Sequence, residues 1–199
     1  MSSAPTSASR YPIHSLLPEH VPRLAEIRPG FTAHSTLLIR RTGAPPFQSW
    51  QLEEVPLHQA FEKGNSYDFD AIEQANIRRR LAQPNTLIEV VADPYTQRLL
   101  GILDVEEESW RQSAWVWNLM LDSSVRRQGL GRLLMERCLA WARARNLRAV
   151  LLETQSNNLP ACHFYARLGF RLIGVNEMFY TNNDIERGEV ALFWGYSLR

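Results

Sequence analysis

The sequence predicts an α+β (α/β) fold: a mixed, mostly antiparallel sheet of about six to seven strands flanked by helices. Three observations lead there. Two β-rich runs, Thr86–Ala92 and Leu99–Glu107, are joined by Asp93-Pro94-Tyr95-Thr96-Gln97 and read as an antiparallel hairpin. The strand Ser113–Leu121 is followed by a helical pattern and then by the strand Ala149–Thr154, and such a crossover makes the two strands parallel. Hairpins first and a crossover later give a sheet of both senses. The 199 residues suit one domain, 11–199, behind a Ser/Ala/Thr-rich tail, 1–10, that lacks the apolar stretch of a signal peptide.

Taken in order, Leu16, His20, Leu24 and Ile27 outline a helix interrupted by Pro18 and Pro22, and Pro29-Gly30 breaks it. Thr36–Arg41 reads as a strand, Gly43–Pro46 as a turn, and Phe47–Val55 as a second strand that Pro56 ends. His58–Asp68 reads as a loop. Asp70 caps a helix over Ala71–Ala82, whose run Arg78-Arg79-Arg80 reads as a solvated face rather than a nucleic-acid patch. The hairpin and Ser113–Leu121 follow. The helix Gly129–Arg145 places Leu130, Leu133, Leu134, Cys138 and Trp141 on one stripe. Asn158 caps a helix over Leu159–Leu168, with Pro160 in its first turn and Gly169 just past its end. Phe170–Tyr180 and Glu189–Ser197 are the last strands, separated by a polar loop.

Composition removes several classes of function. A formal charge of +1 sets up no field for nucleic acid or a membrane surface. No stretch approaches the ~20 apolar residues of a membrane span. The two cysteines, Cys138 and Cys162, lie in helical patterns and read as free thiols of a reducing, cytoplasmic compartment. His14, His20, His34, His58 and His163 have no partner at metal-ligand spacing, so no metal is expected. The apolar stretch Val190–Tyr196 suggests a homodimer paired through the last strand.

Two stretches carry chemistry. After Leu121 the chain turns and reads Arg126-Arg127-Gln128-Gly129-Leu130-Gly131-Arg132 into a helix. Glycines allow close approach to the backbone. The unpaired N–H groups of a first helical turn, with their partial positive charge, favour phosphate oxygens. Further on, Ala161, Phe164, Tyr165 and Leu168 share one helix face, which turns the Tyr165 hydroxyl inward. A phenol, with a reference pKa of about 10, is a fair proton donor to a departing thiolate.

Arg126-Arg127-Gln128-Gly129-Leu130-Gly131 resembles the (Gln/Arg)-x-x-Gly-x-(Gly/Ala) signature of the GNAT superfamily of acyl-CoA-dependent N-acetyltransferases. Asn158-x-x-Ala161-x-x-Phe164-Tyr165-x-x-x-Gly169-Phe170 resembles its later motif. Leu152-Glu153-Thr154-Gln155, Ala161-Cys162-His163-Phe164-Tyr165, Ile173-Gly174-Val175 and Ala191-Leu192-Phe193-Trp194 are similar to the streptothricin acetyltransferase branch, over about the last 90 residues. The resemblance implies a GNAT-like fold with a splayed parallel central strand pair and a cofactor-binding core at about 86–170. It implies acetyl-CoA as co-substrate, without metal. Backbone at Leu119, Met120 and Leu121 would hold the pantetheine arm, and the N–H near Leu119 would polarise the thioester as an oxyanion hole does. The run from Arg126 to Arg132 would hold the pyrophosphate, with Arg126, Arg127, Gln128, Gly129, Leu130, Gly131 and Arg132 all as cofactor contacts. Asn158 would add an amide contact and Tyr165 would be the general acid.

Relatives of that branch carry acidic residues in the strand Ser113–Leu121, where this chain has Trp117 and Asn118. Glu153 on the next strand is then the candidate base, with Glu53 and Glu54 as weaker ones and a water chain as another route. The acceptor implied is a small-molecule primary amine, of which a streptothricin-like antibiotic is one. A peptide or protein amine is the alternative, with Trp110, Trp115 and Trp117 lining its site and His58–Asp68 covering it. A non-catalytic acyl-CoA-binding sensor is the reading from another class.

Overall fold

The computed structural model describes residues 10–64 and 69–199. Most of the tail expected at 1–10, and the end of the loop expected at His58–Asp68, lie outside them. The elements are β1 (Ile13–Ser15), a 3-10 helix (Pro18–Glu26), β2 (Phe31–Thr42), β3 (Ser49–Lys63), α1 (Ala71–Leu81), β4 (Thr86–Ala92), β5 (Leu99–Glu108) and β6 (Ser113–Leu121). A short 3-10 turn (Ser123–Val125) then leads to α2 (Leu130–Ala144), β7 (Ala149–Gln155), α3 (Leu159–Arg167), β8 (Arg171–Asn176), α4 (Asp184–Arg187) and β9 (Ala191–Ser197). A seven-stranded sheet has the order β1-β4-β5-β6-β7-β9-β8, mostly antiparallel with β6 and β7 parallel, and β2 and β3 form a two-stranded ribbon. The mixed sheet expected from the sequence is therefore present. The chain divides into two compact units: Met1–Phe31, Gly64–Val150 and Leu198–Arg199 in the first, Thr32–Lys63 and Leu151–Ser197 in the second.

In the first unit, β4 and β5 pair as the expected hairpin, with Val90 opposite Ile102. Both strands are buried over most of their length, which is why they read as continuous apolar runs rather than alternating ones. Leu16, Val21, Leu24 and Ile27 join Ile77, Ile88, Val90 and Ile102 in one core. The helix marked by Leu16–Ile27 is 3-10 rather than α: Pro22 inside it has no N–H to give, and tight i→i+3 turns suit such a segment. Asp70 caps α1 as expected, its carboxylate accepting from the Glu73 N–H at 2.8 Å. In the basic run on α1, Arg78 and Arg79 are exposed as expected, but Arg80 is not. Arg80 is only 2% exposed, and its guanidinium donates to both oxygens of the fully buried Asp104. In α2, Leu130, Leu134 and Cys138 are buried as expected, with Met135, Leu139 and Ala142 beside them.

In the second unit the ribbon is longer than expected. β3 runs through Pro56 to Lys63, so 58–63 are strand rather than loop. Both members of a two-stranded ribbon are edges, and a proline can occupy an edge without breaking a ladder. The strand expected at Phe170–Tyr180 stops at Asn176. The buried Asp184 carboxylate accepts from the N–H groups of Phe179, Tyr180 and Thr181, at 2.9, 3.0 and 2.7 Å, and bends the chain into a turn there. Those bonds outweigh the burial penalty and hold Asp184 below the usual carboxylate range. β9 lies between β7 and β8 in the sheet order, so the last strand offers no free edge for the pairing its apolar sequence suggested. Both cysteines are free and buried, and burial pushes each thiol up to about 12.

Candidate functional site

The glycine loop is built by the end of β6 and the start of α2. Asp122 stops β6. Its carboxylate accepts from Ser124 N at 3.0 Å, Ser124 Oγ at 2.6 Å and Arg28 N at 3.1 Å, and it pairs with Arg98. Against the cost of burial, these bonds hold Asp122 below the usual carboxylate range. Arg126 then folds back: its guanidinium donates to the carbonyls of Leu121 and Gly30, the latter at 2.8 Å, and to that of Pro29. Those bonds brace the loop against the segment at Pro29 and Gly30. Arg127 and Gly129 have left-handed φ values of 56° and 87°. For glycine that region carries no steric cost. Gly129 is the N-cap of α2 and, lacking a side chain, makes no cap hydrogen bond of its own, an arrangement that suits the first-turn N–H groups to an anion.

The remaining loop residues are placed as follows. The Gln128 side chain accepts from Arg10 at 3.0 Å and donates to Ser124 O at 3.3 Å. Gly131 lies in the first turn of α2, without a left-handed φ. Leu130 is buried, while Arg132 is exposed and pairs with Glu136 at 2.8 Å. Leu119, Met120 and Leu121 are half-buried and stand opposite Leu103, Ile102 and Gly101 of β5.

Just before them β6 has a bulge. Asn118 pairs with Asp104 and Val116 with Val105, so Trp117 is the extra residue. Bulges re-aim side chains and gather at functional sites. Here the bulge brings Trp117 Nε1 to 3.0 Å from Glu106 Oε2. The buried Asn118 amide donates to Glu73 at 3.0 Å and Asp104 at 3.2 Å. Carboxylates are thus absent from these two positions of β6 but lie beside them, on β5 and α1. Sequence reasoning missed Asp104, Glu106 and Arg80. The signal available for the two carboxylates was the appearance of Asp104 and Glu106, two residues apart, at the end of the apolar run Leu99–Leu103.

The second unit carries the other expected residues. Asn158 caps α3, accepting from Ala161 N at 3.3 Å. Tyr165 is 7% exposed, and its ring lies against Phe164, Phe170 and Trp194 at 5.2, 5.7 and 6.5 Å between centroids. Gly169 has φ 91°, as the residue past a helix end should. Glu153 accepts from the Tyr180 hydroxyl. Burial pushes its carboxyl above the usual range, opposed by Tyr180 and the Lys63 charge. Glu53 and Glu54 are in surface pairs, with Arg40 at 2.7 Å and His163 at 3.0 Å. Among the described residues no group of three or more His, Cys, Asp or Glu could hold a metal ion. No helix there is long and apolar enough to cross a membrane.

A strand, a left-handed glycine turn and a helix are followed by a second strand and a tyrosine-bearing helix, an order within a mixed sheet that the chain shares with acetyltransferases. Residues 48–170, more than half the chain, match the model of the acetyltransferase (GNAT) family, and the chain belongs to that family. It is similar to the streptothricin acetyltransferase of Escherichia coli, 33% identical over 98 residues that cover 49% of this chain and 56% of that protein. With the Bacillus subtilis streptothricin acetyltransferase A it shares 33% identity over 88 residues, 44% of this chain and 50% of that one. The chain thus spans about half the length of these two relatives. The match to the Streptomyces lavendulae streptothricin acetyltransferase is longer: 27% identity over 188 residues, 94% of this chain and 95% of the relative. Among solved structures, the fold resembles nourseothricin acetyltransferase, with a TM-score of 0.77 at 24% identity, covering 96% and 99% of the two chains. It also resembles a streptothricin acetyltransferase homologue from Bacillus anthracis in complex with acetyl coenzyme A, with a TM-score of 0.72 at 23% identity, covering 94% and 99%.

Proposed function

We propose that this chain is an acetyl-CoA-dependent N-acetyltransferase that moves an acetyl group to a primary amine of a small molecule, a streptothricin-like antibiotic being the leading substrate class. The observation that carries the reading is the left-handed Gly129 turn into α2, within a family match at 48–170. The near full-length similarity to the Streptomyces lavendulae enzyme supports the substrate class.

In this reading first-turn amides from Gly129 to Arg132 bind the pyrophosphate, and Arg126 keeps the loop in shape. Leu119, Met120 and Leu121 give backbone partners to the pantetheine arm, and Asn158 adds an amide contact. The acceptor nitrogen attacks the thioester carbonyl directly in a ternary complex. As the C–S bond breaks, Tyr165 gives its proton to sulfur. Glu153, whose carboxyl burial pushes above the usual carboxylate range, is the candidate base. The buried thiols of Cys138 and Cys162 take no part, because a thiol held near 12 is a poor nucleophile.

The test is release of coenzyme A from acetyl-CoA with streptothricin, aminoglycosides, polyamines and peptides. Turnover with streptothricin is expected. Binding of acetyl-CoA with no turnover on any amine would leave the sensor reading in its place. A peptide amine as acceptor is the second reading. It is favoured by 31% identity over 71 residues to the Escherichia coli [ribosomal protein bS18]-alanine N-acetyltransferase, 36% of this chain and 48% of that protein. Turnover restricted to peptides would select it.

A further inference from the structure

The bulge at Trp117 creates a feature that the cofactor-side residues do not account for. Glu106 on β5 stands opposite Trp115 of β6 and accepts from the bulged Trp117 indole at 3.0 Å. The two indole rings meet edge to face, 6.0 Å apart. Trp117 is 48% exposed, while the Glu106 side chain is 18% exposed and Trp115 is half-buried with the Arg111 guanidinium over its ring at 5.7 Å, so the carboxylate reaches solvent only beside the Trp117 indole. Arg80 lies over the Trp117 ring at 5.2 Å, but its hydrogen bonds go to Asp104 and Glu73. Arg79 approaches Glu106 only to 3.9 Å from an exposed position, a pairing of little strength. Glu106 is thus a carboxylate fixed in place by an indole N–H, backed by aromatic surface and weakly compensated. Organic ammonium groups are held by that combination of negative charge and ring face. Two residues of strand rise, about 7 Å, separate Trp117 from Leu119, whose N–H is the proposed thioester contact.

We propose that Glu106, with Trp115 and Trp117, forms a subsite for the ammonium of a cationic acceptor. The proposal rests on the acetyltransferase reading above. An acceptor with a second amine, such as a polyamine, can place one ammonium here while another nitrogen attacks the thioester.

The experiment measures steady-state kinetics with streptothricin and spermidine for wild type, Glu106→Gln and Glu106→Gln/Trp117→Glu. It is paired with calorimetric titration of spermidine into the protein saturated with coenzyme A. Glu106→Gln is expected to raise the acceptor KM and Kd about tenfold or more, the scale of a lost charged hydrogen bond, while leaving the KM for acetyl-CoA unchanged. The double variant, which moves the carboxylate from β5 to the neighbouring position on β6, is expected to recover most of that loss. Should Glu106→Gln fold poorly by circular dichroism, Trp117→Phe removes only the indole donor and should raise the acceptor KM about threefold, on the scale of one neutral hydrogen bond. An acceptor KM within twofold of wild type in the folded variants overturns the subsite. A wild-type protein that folds, binds acetyl-CoA and turns over no amine overturns the acetyltransferase reading itself, and the subsite falls with it.

Discussion

Removing the guanidinium of Arg80 tests whether the buried ionic cluster holds the first unit together. Arg80 is 2% exposed and Asp104 is 0% exposed. The guanidinium donates to Asp104 from Nε at 3.0 and 3.2 Å and from an Nη at 2.6 Å, and to Glu73 at 2.8 Å. In Arg80→Met the apolar stem is kept but Asp104 faces the interior with only the Asn118 amide for company. Stripping one partner from a buried pair costs about 3–5 kcal/mol. That is a large part of the roughly 5–15 kcal/mol that holds a domain folded. At about 2–4 °C per kcal/mol for a chain of this size, the melting temperature should fall by roughly 6–20 °C. Burial already pushes the Asp104 carboxyl above its usual range, with Arg80 and then Asn118 opposing. Without Arg80 it should take up a proton, and Arg80→Met/Asp104→Leu should recover much of the loss. Urea and thermal unfolding followed by circular dichroism measure both. A loss below about 1 kcal/mol in the single variant, the scale of an exposed pair, would refute the reasoning.

Other outcomes follow from the same structure. Gly131→Val puts a branched side chain in the first turn of α2 without demanding a left-handed φ; it should leave the fold intact and reduce acetyl-CoA affinity at least tenfold by calorimetry. Gly129→Val adds backbone strain of roughly 1–2 kcal/mol to the same binding loss, visible as a lower melting temperature. Tyr165→Phe should lower kcat about 10²-fold with little change in the KM for acetyl-CoA, and an unchanged kcat would remove the phenol from its role. Asp122 is held below its unfolded value, so its contribution is present at neutral pH and fades as pH falls through the folded pKa. Asp122→Asn should therefore melt lower than wild type at pH 7 and converge with it in acid.

The elements were legible where periodicity and punctuation agreed. Asp93–Gln97 between apolar runs fixed the hairpin β4–β5, and Asp70 and Asn158 marked helix starts that the structure caps with those side chains. The errors share one cause: a long-range partner overrode a local signal. Pro56 does not end β3, because the ribbon is all edge. Phe170–Tyr180 is cut short by the Asp184 carboxylate. Arg80 reads as one of three surface cations until Asp104, 24 residues later, comes beside it. On the cofactor side the glycine pattern announced the loop, and Gly129 has the φ it needs. That the Arg126 guanidinium also braces the backbone was not legible, since nothing in a motif reveals that the carbonyls of residues 29 and 30 will lie within its reach. On β6, Trp117 and Asn118 looked like simple losses of charge. Only the register of β5 against β6 shows the carboxylates next door.

The seclusion of Cys138 and Cys162 has a practical corollary for the bench. With each sulfur held near 12, roughly one part in 10⁴ is ionised at pH 8, so a disulfide-exchange chromophore meets almost no reactive protein sulfur. Colour developing in such a mixture reports liberated coenzyme alone, and the polypeptide can be used at high concentration without raising the blank. Acceptors consumed slowly, which need large amounts of catalyst to register, are therefore within range of a simple spectrophotometer.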